Sequence, residues 1–112
     1  MFSNHYVGFA DGACHNTPKL SSATWALFYP NGELINLEGI FLGRTTNNIS
    51  EYNAVIELLL EAVALRIRIL VVKLDSQLVV LQLNSHYSVI NPKKNCMYLR
   101  VQLLEINFDY IT

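Results

Sequence analysis

Apolar and polar positions alternate through the first part of the chain. His5 to Ala13 reads as a strand rich in aromatic and branched residues. Residues 22–30 read as a second, with Thr24, Ala26 and Phe28 on one face and Trp25, Leu27 and Tyr29 on the other. Pro30-Asn31-Gly32 makes a short turn into a third strand over 33–43. There Ile35 and Leu37 alternate with Asn36 and Glu38, which suits a half-exposed edge. From residue 47 the period becomes helical and holds to about 66. Ile69 to Leu74 is a compact apolar run of the kind that makes a buried parallel strand. A short helix is expected over 76–84 and a loop over 85–94. A further helix over 95–106 has Met97, Val101 and Leu104 inward, and a fifth strand runs from Asn107 to Thr112.

Two stretches have more than one reading. Asp11-Gly12 is a leading hairpin-turn pair, yet the next convincing strand begins only near Ser22. Cys14 to Lys19 therefore looks like a longer loop, with His15 in it. Thr46-Asn47-Asn48-Ile49-Ser50-Glu51-Tyr52 is a helix entry. With Asn48 as N-cap, Glu51 falls at N3, the spacing of a capping box. At about 100° per residue, Asn53, Glu57 and Glu61 share a face that should meet water. Glu51 instead joins Val55, Leu58, Ala62 and Leu65 on the core-facing arc. A carboxylate at the rim of a buried face usually has a partner or a metal.

The composition narrows the class. With 112 residues there is room for one domain with one core. The chain is 52% hydrophobic and 15% charged, which argues against disorder. A net charge of −1 gives no general attraction to nucleic acid; Arg44, Lys93 and Lys94 are the candidates for a local phosphate-contacting patch. No apolar run reaches the ~18 residues of a membrane span. The Met1 to His5 start does not read as a signal peptide. Cys14 and Cys96 form neither a disulfide framework nor a zinc spacing, so an intracellular, reducing compartment is the default expectation.

The element order β-β-β-α-β-α-α-β brings distant acids together. If the first strand runs up, the meander returns the third strand upward, and the long helix starts at the top and descends. The fourth strand then rises beside the first through an ordinary crossover. Asp11 near the top of the first strand, Glu51 in the first helical turn and Asp75 at the top of the fourth strand are thereby expected at one edge. Bare carboxylates so close would raise one another's pKa values. A hard divalent cation resolves this, because Mg²⁺ takes oxygen ligands and suits phosphate chemistry. The alternative is three unrelated helix and turn caps.

Phe9-Ala10-Asp11-Gly12, Thr46 to Glu51, and Leu74-Asp75-Ser76-Gln77 resemble the first three motifs of the ribonuclease H type 1 family. The likeness is to the domains of plant proteins and retroelements, which lack a basic handle between the second and third helices. It implies an α/β ribonuclease H-like fold, a mixed five-stranded sheet in the order 3-2-1-4-5 with helices on its faces. It also implies endonucleolytic cleavage of the RNA strand of RNA·DNA hybrids by two-metal-ion phosphodiester hydrolysis with Mg²⁺, or Mn²⁺ in its place. Asp11, Glu51 and Asp75 would be the catalytic metal ligands. Cys14, Asn16, Thr46, Asn47, Asn48 and Gln77 would bind the hybrid in its minor groove, where the 2′-hydroxyls lie.

The family continues, past the fifth strand, with a loop carrying a histidine and a helix carrying a fourth aspartate. The sequence stops at Thr112, so residues 1–112 are expected to form one domain incomplete at its C-terminus, without the last helix. Asp109 falls too early to replace the fourth acid, and His15 and His86 are the candidates to replace the histidine. A weakened site leaves two alternatives, a catalytically inactive RNA- or hybrid-binding module and a scaffold domain. The scaffold would associate with itself or a partner chain through the exposed sheet surface. Such a surface is consistent with the positive mean hydropathy of +0.27.

Overall fold

The structure is a computed structural model that describes residues 5–16, 19–43, 47–74, 92–108 and 110–111. Five strands and two helices lie within them: β1 (Tyr6–Asn16), β2 (Lys19–Phe28), β3 (Leu34–Gly43), α1 (Asn47–Ala64), β4 (Ile69–Leu74), α2 (Pro92–Glu105) and β5 (Tyr110–Ile111). The expected helix over 76–84 and the loop residues up to 91 lie outside the described residues. The strands form one sheet in the order β3-β2-β1-β4-β5, as the family resemblance implies. β1 pairs antiparallel with β2 and parallel with β4.

Asp11-Gly12 is not a turn. It lies inside β1, with Asp11 opposite Thr24 and Gly12 opposite Ala23. The pairing continues through Cys14, His15 and Asn16, opposite Ser21, Leu20 and Lys19, so the expected loop is mostly strand. An Asp-Gly pair marks a turn only when the partner strand begins at once; here the register with β2 extends the ladder past it. The Pro30-Asn31-Gly32 turn is present. Gly32 N–H donates to the Tyr29 carbonyl, Glu33 N–H donates to Asn31 Oδ1, and Gly32 has φ 91°.

α1 lies across β1 and β2, with α2 on its other side. That double coverage explains why Tyr52, Ala54, Val55, Ile56, Leu58, Leu59 and Ala62 are all buried. From Gly8 to Gly12 β1 makes room by presenting only small residues to the helix. A Cβ at Gly8 would lie 2.6 Å from Leu58 Cδ2, and Ala10 follows on the same face.

The helix ends two residues earlier than its period suggested. Arg66 adopts φ 60°, its amide donates to the Val63 carbonyl, and the Ile67 amide reaches back to Ala62. This is a Schellman stop with arginine where glycine is usual. α2 begins at Pro92, earlier than expected, because the fixed φ of proline suits a first helical position. Met97 and Val101 are buried as expected, with Leu104 half-buried beside them.

The Asn53/Glu57/Glu61 face is half-buried rather than open to water. Glu61 accepts from Trp25 Nε1 at 2.8 Å and from Asn36 Nδ2 at 3.0 Å, tying α1 to β2 and β3. On β3 it is thus Asn36, not Leu37, that faces the helix; Leu37 is 65% exposed on the opposite side. The opposite face also carries Phe9, edge-on to Phe28 at 5.6 Å and capped by Lys73 Nζ at 5.6 Å from its ring centre.

Candidate active site at the β1–α1 contact

Glu51 enters the site from the first turns of α1. Because the helix already includes Asn47 and Asn48, Asn48 is not its N-cap, and the capping-box register does not hold. The Glu51 side chain is 5% exposed, and its Oε1 accepts the backbone N–H of Gly12 at 3.1 Å. Glu51 therefore reaches sideways to the central strand, one residue from Asp11.

Gly12 is what allows this approach. A Cβ there would sit 2.4 Å from the Glu51 backbone nitrogen and 2.5 Å from the Ser50 carbonyl carbon. Neither backbone atom can swing aside as a side-chain tip would. The spacing of Gly8, Ala10 and Gly12 along one strand face signalled this contact in the sequence, but the Asp-Gly pair drew attention to a turn instead.

Asp11 is solvent-exposed, and its carbonyl receives the Thr24 hydroxyl at 3.4 Å. The third acid, Asp75, lies outside the described residues, but its predecessor Leu74 stands opposite Ala10 in the parallel β1–β4 ladder. Among the described residues no group of three or more His, Cys, Asp or Glu could hold a metal ion. Glu51 is thus held against the residue that follows Asp11 in β1, and carboxylate oxygens are the donors a hard divalent cation takes.

Beside Glu51, burial pushes the Tyr52 phenol up to about 12, with Tyr98 adding to the shift. Tyr52 is fully buried and is a neutral core residue at ordinary pH. Of the groove residues inferred from the sequence, Cys14 and Asn16 fall on β1, and Asn47 and Asn48 on the first turn of α1. Thr46 and Gln77 lie outside the described residues, as do Arg44 and His86. His15 is a β1 residue rather than a loop histidine.

A family model described as reverse transcriptase-like matches residues 9–112. The chain belongs to this family and is a ribonuclease H type 1 domain. It is 31% identical over 101 residues to ribonuclease HI of Halobacterium salinarum, a match covering 90% of this chain and 51% of that protein. The chain thus spans about half the length of this curated relative. The crystal structure of ribonuclease H1 from H. salinarum superposes with a TM-score of 0.88 at 30% identity, covering 96% of this chain and 83% of that one. The N-terminal ribonuclease H domain of a Mycobacterium tuberculosis protein gives 0.91 at 29% identity, covering 98% and 80%. The sheet order and the helix on its inner face are therefore those of the ribonuclease H fold.

Proposed function

We propose that this ribonuclease H domain cleaves the RNA strand of RNA·DNA hybrids by divalent-metal-dependent phosphodiester hydrolysis. The observation that carries this reading is the 3.1 Å bond from Gly12 to Glu51, which fixes one motif carboxylate beside the strand that bears another. Membership of the family supports the class of substrate.

In this reading Asp11, Glu51 and Asp75 would hold Mg²⁺, with Mn²⁺ as a substitute. A divalent ion held there would supply Lewis-acid activation of the phosphodiester and of the attacking water. The chain's own residues do the positioning. Gly12 N–H holds one Glu51 oxygen, so the carboxylate keeps one rotamer and loses little entropy on engaging a cation. The exposed Asp11 faces solvent, where a phosphate backbone can reach it. Cys14, Asn16, Thr46, Asn47, Asn48 and Gln77 line the minor groove of the hybrid. Their amide and hydroxyl groups both donate to and accept from 2′-hydroxyls.

The test is cleavage of a labelled RNA·DNA hybrid by the purified chain in Mg²⁺ and then Mn²⁺, against single-stranded RNA and duplex DNA. Hybrid-selective cutting that disappears in Asp11→Asn is the expected result. Undiminished cutting by Asp11→Asn, or no cutting by a folded chain in either metal, overturns the proposal.

A further inference from the structure

β3 is an edge strand of the sheet, and among the described residues nothing pairs with its outer side. A bare edge is a template for another strand, and proteins usually blunt it with lysine, proline, bulges or a short length. β3 runs ten residues, Leu34–Gly43, with neither lysine nor proline. Its irregularities against β2 fall near its two ends, where the register shifts between Leu27 and Phe28 and between Ser21 and Ser22. Between them, Asn36 to Phe41 pairs regularly with β2. That regular run carries large apolar groups in the open: Leu37 is 65% exposed, Ile40 38% and Phe41 87%.

We propose that two copies of this chain pair through β3, antiparallel, to form a two-fold dimer with one continuous sheet. The pattern of the strand selects the partner and the register. When a two-fold axis stands perpendicular to a continuous sheet, each residue faces one of the same face on the partner strand, so some residue must face its own copy. Two registers use the regular run fully. Centred on Glu38, two carboxylates would stand directly opposite, which is repulsive. Centred on Gly39, Glu38 instead faces Ile40 of the other copy, and Leu37 faces Phe41 at both ends. The second register pairs the two most exposed apolar residues of the run, Leu37 and Phe41, with each other and keeps the acids apart. Leu37 and Phe41 then meet on the sheet face away from α1, beyond Ala26 and Ser22 of β2.

Sedimentation of the chain over a ~100-fold concentration range, centred on the micromolar affinities expected of a small interface, should show monomer passing to dimer. Phe41→Lys places an ammonium group against Leu37 at both ends of the pairing and should leave a monomer with unchanged circular dichroism. L37C chains mixed with F41C chains should cross-link to each other more readily than either does alone. A chain that stays monomeric at every concentration overturns the proposal. So does a dimer that survives Phe41→Lys with no L37C–F41C cross-link, which would mean association through the open sheet face. Open-ended oligomers would overturn the two-fold register.

Discussion

The amide of Gly12 and the carboxylate of Glu51, 39 positions apart in sequence, are joined by a buried hydrogen bond of 3.1 Å. The bond gives Glu51 a structural duty beside the chemical one proposed for it, and the two can be separated. Glu51→Ala leaves the Gly12 N–H without this acceptor and should cost about 1–3 kcal/mol in urea unfolding. Glu51→Gln keeps an oxygen there and should cost less than about 1 kcal/mol. Both should abolish hybrid cleavage. Equal destabilisation by the two variants would show that the acceptor is not what Glu51 contributes to the fold.

Gly12→Ala tests the approach of helix to strand. The added methyl would fall 2.4 Å from a backbone nitrogen that has no rotamer to change. Overpacking of this kind costs about 1–3 kcal/mol and sometimes more, and the upper end is expected. Melting or urea denaturation measures it. A neutral substitution would mean that α1 can shift off β1 freely.

Arg66 ends α1 in a left-handed conformation that glycine adopts without strain. Arg66→Gly should therefore stabilise the fold by about 0.5–1 kcal/mol, the left-handed penalty less the extra chain entropy of glycine. An unchanged or lower denaturation midpoint would contradict the cap.

Much of this architecture was legible in the sequence. The meander and the place of β4 beside β1 follow from the hydrophobic pattern, and the full strand order from the family resemblance. The family was legible as a motif set, and the approach of the start of α1 to the Asp11-Gly12 end of β1 follows from topology. What misled was local chemistry read without its tertiary setting. Cys14-His15-Asn16 has the composition of a loop, but β2 continues to pair along it. Glu61 has the look of a solvated acid, but it meets Trp25 and Asn36 across a space that periodicity does not reveal.

That contact gives another test. Glu61→Ala removes acceptors from both the Trp25 indole and the Asn36 amide. It should cost about 1–3 kcal/mol, since the bonds are to a charged group but only partly buried. Trp25 is the sole tryptophan, so a change in its emission should accompany the loss. Unaltered emission and stability would show that the indole finds another partner.

The alkaline limb of stability should belong partly to Tyr52. Its folded-state pKa is raised from 10.0 to about 12, so the folded state favours the neutral phenol. That contribution is fully present below pH 10 and is lost as pH rises through about 12. Tyr52→Phe should flatten the fall in urea midpoint across this window. Glu105, raised by burial, acts in the acid range: its contribution is greatest below pH 4.5 and declines as pH rises through its folded value.

The small inner face of β1 also governs when the site comes into being. Hairpins between successive strands close short loops and can form early, whereas the contact of Gly12 with Glu51 waits for a whole helix to settle on the sheet. Until then Glu51 stays away from β1. If the proposed metal site is right, cation affinity should appear only once α1 docks, and local fraying of the start of α1 would switch it off without unfolding the sheet.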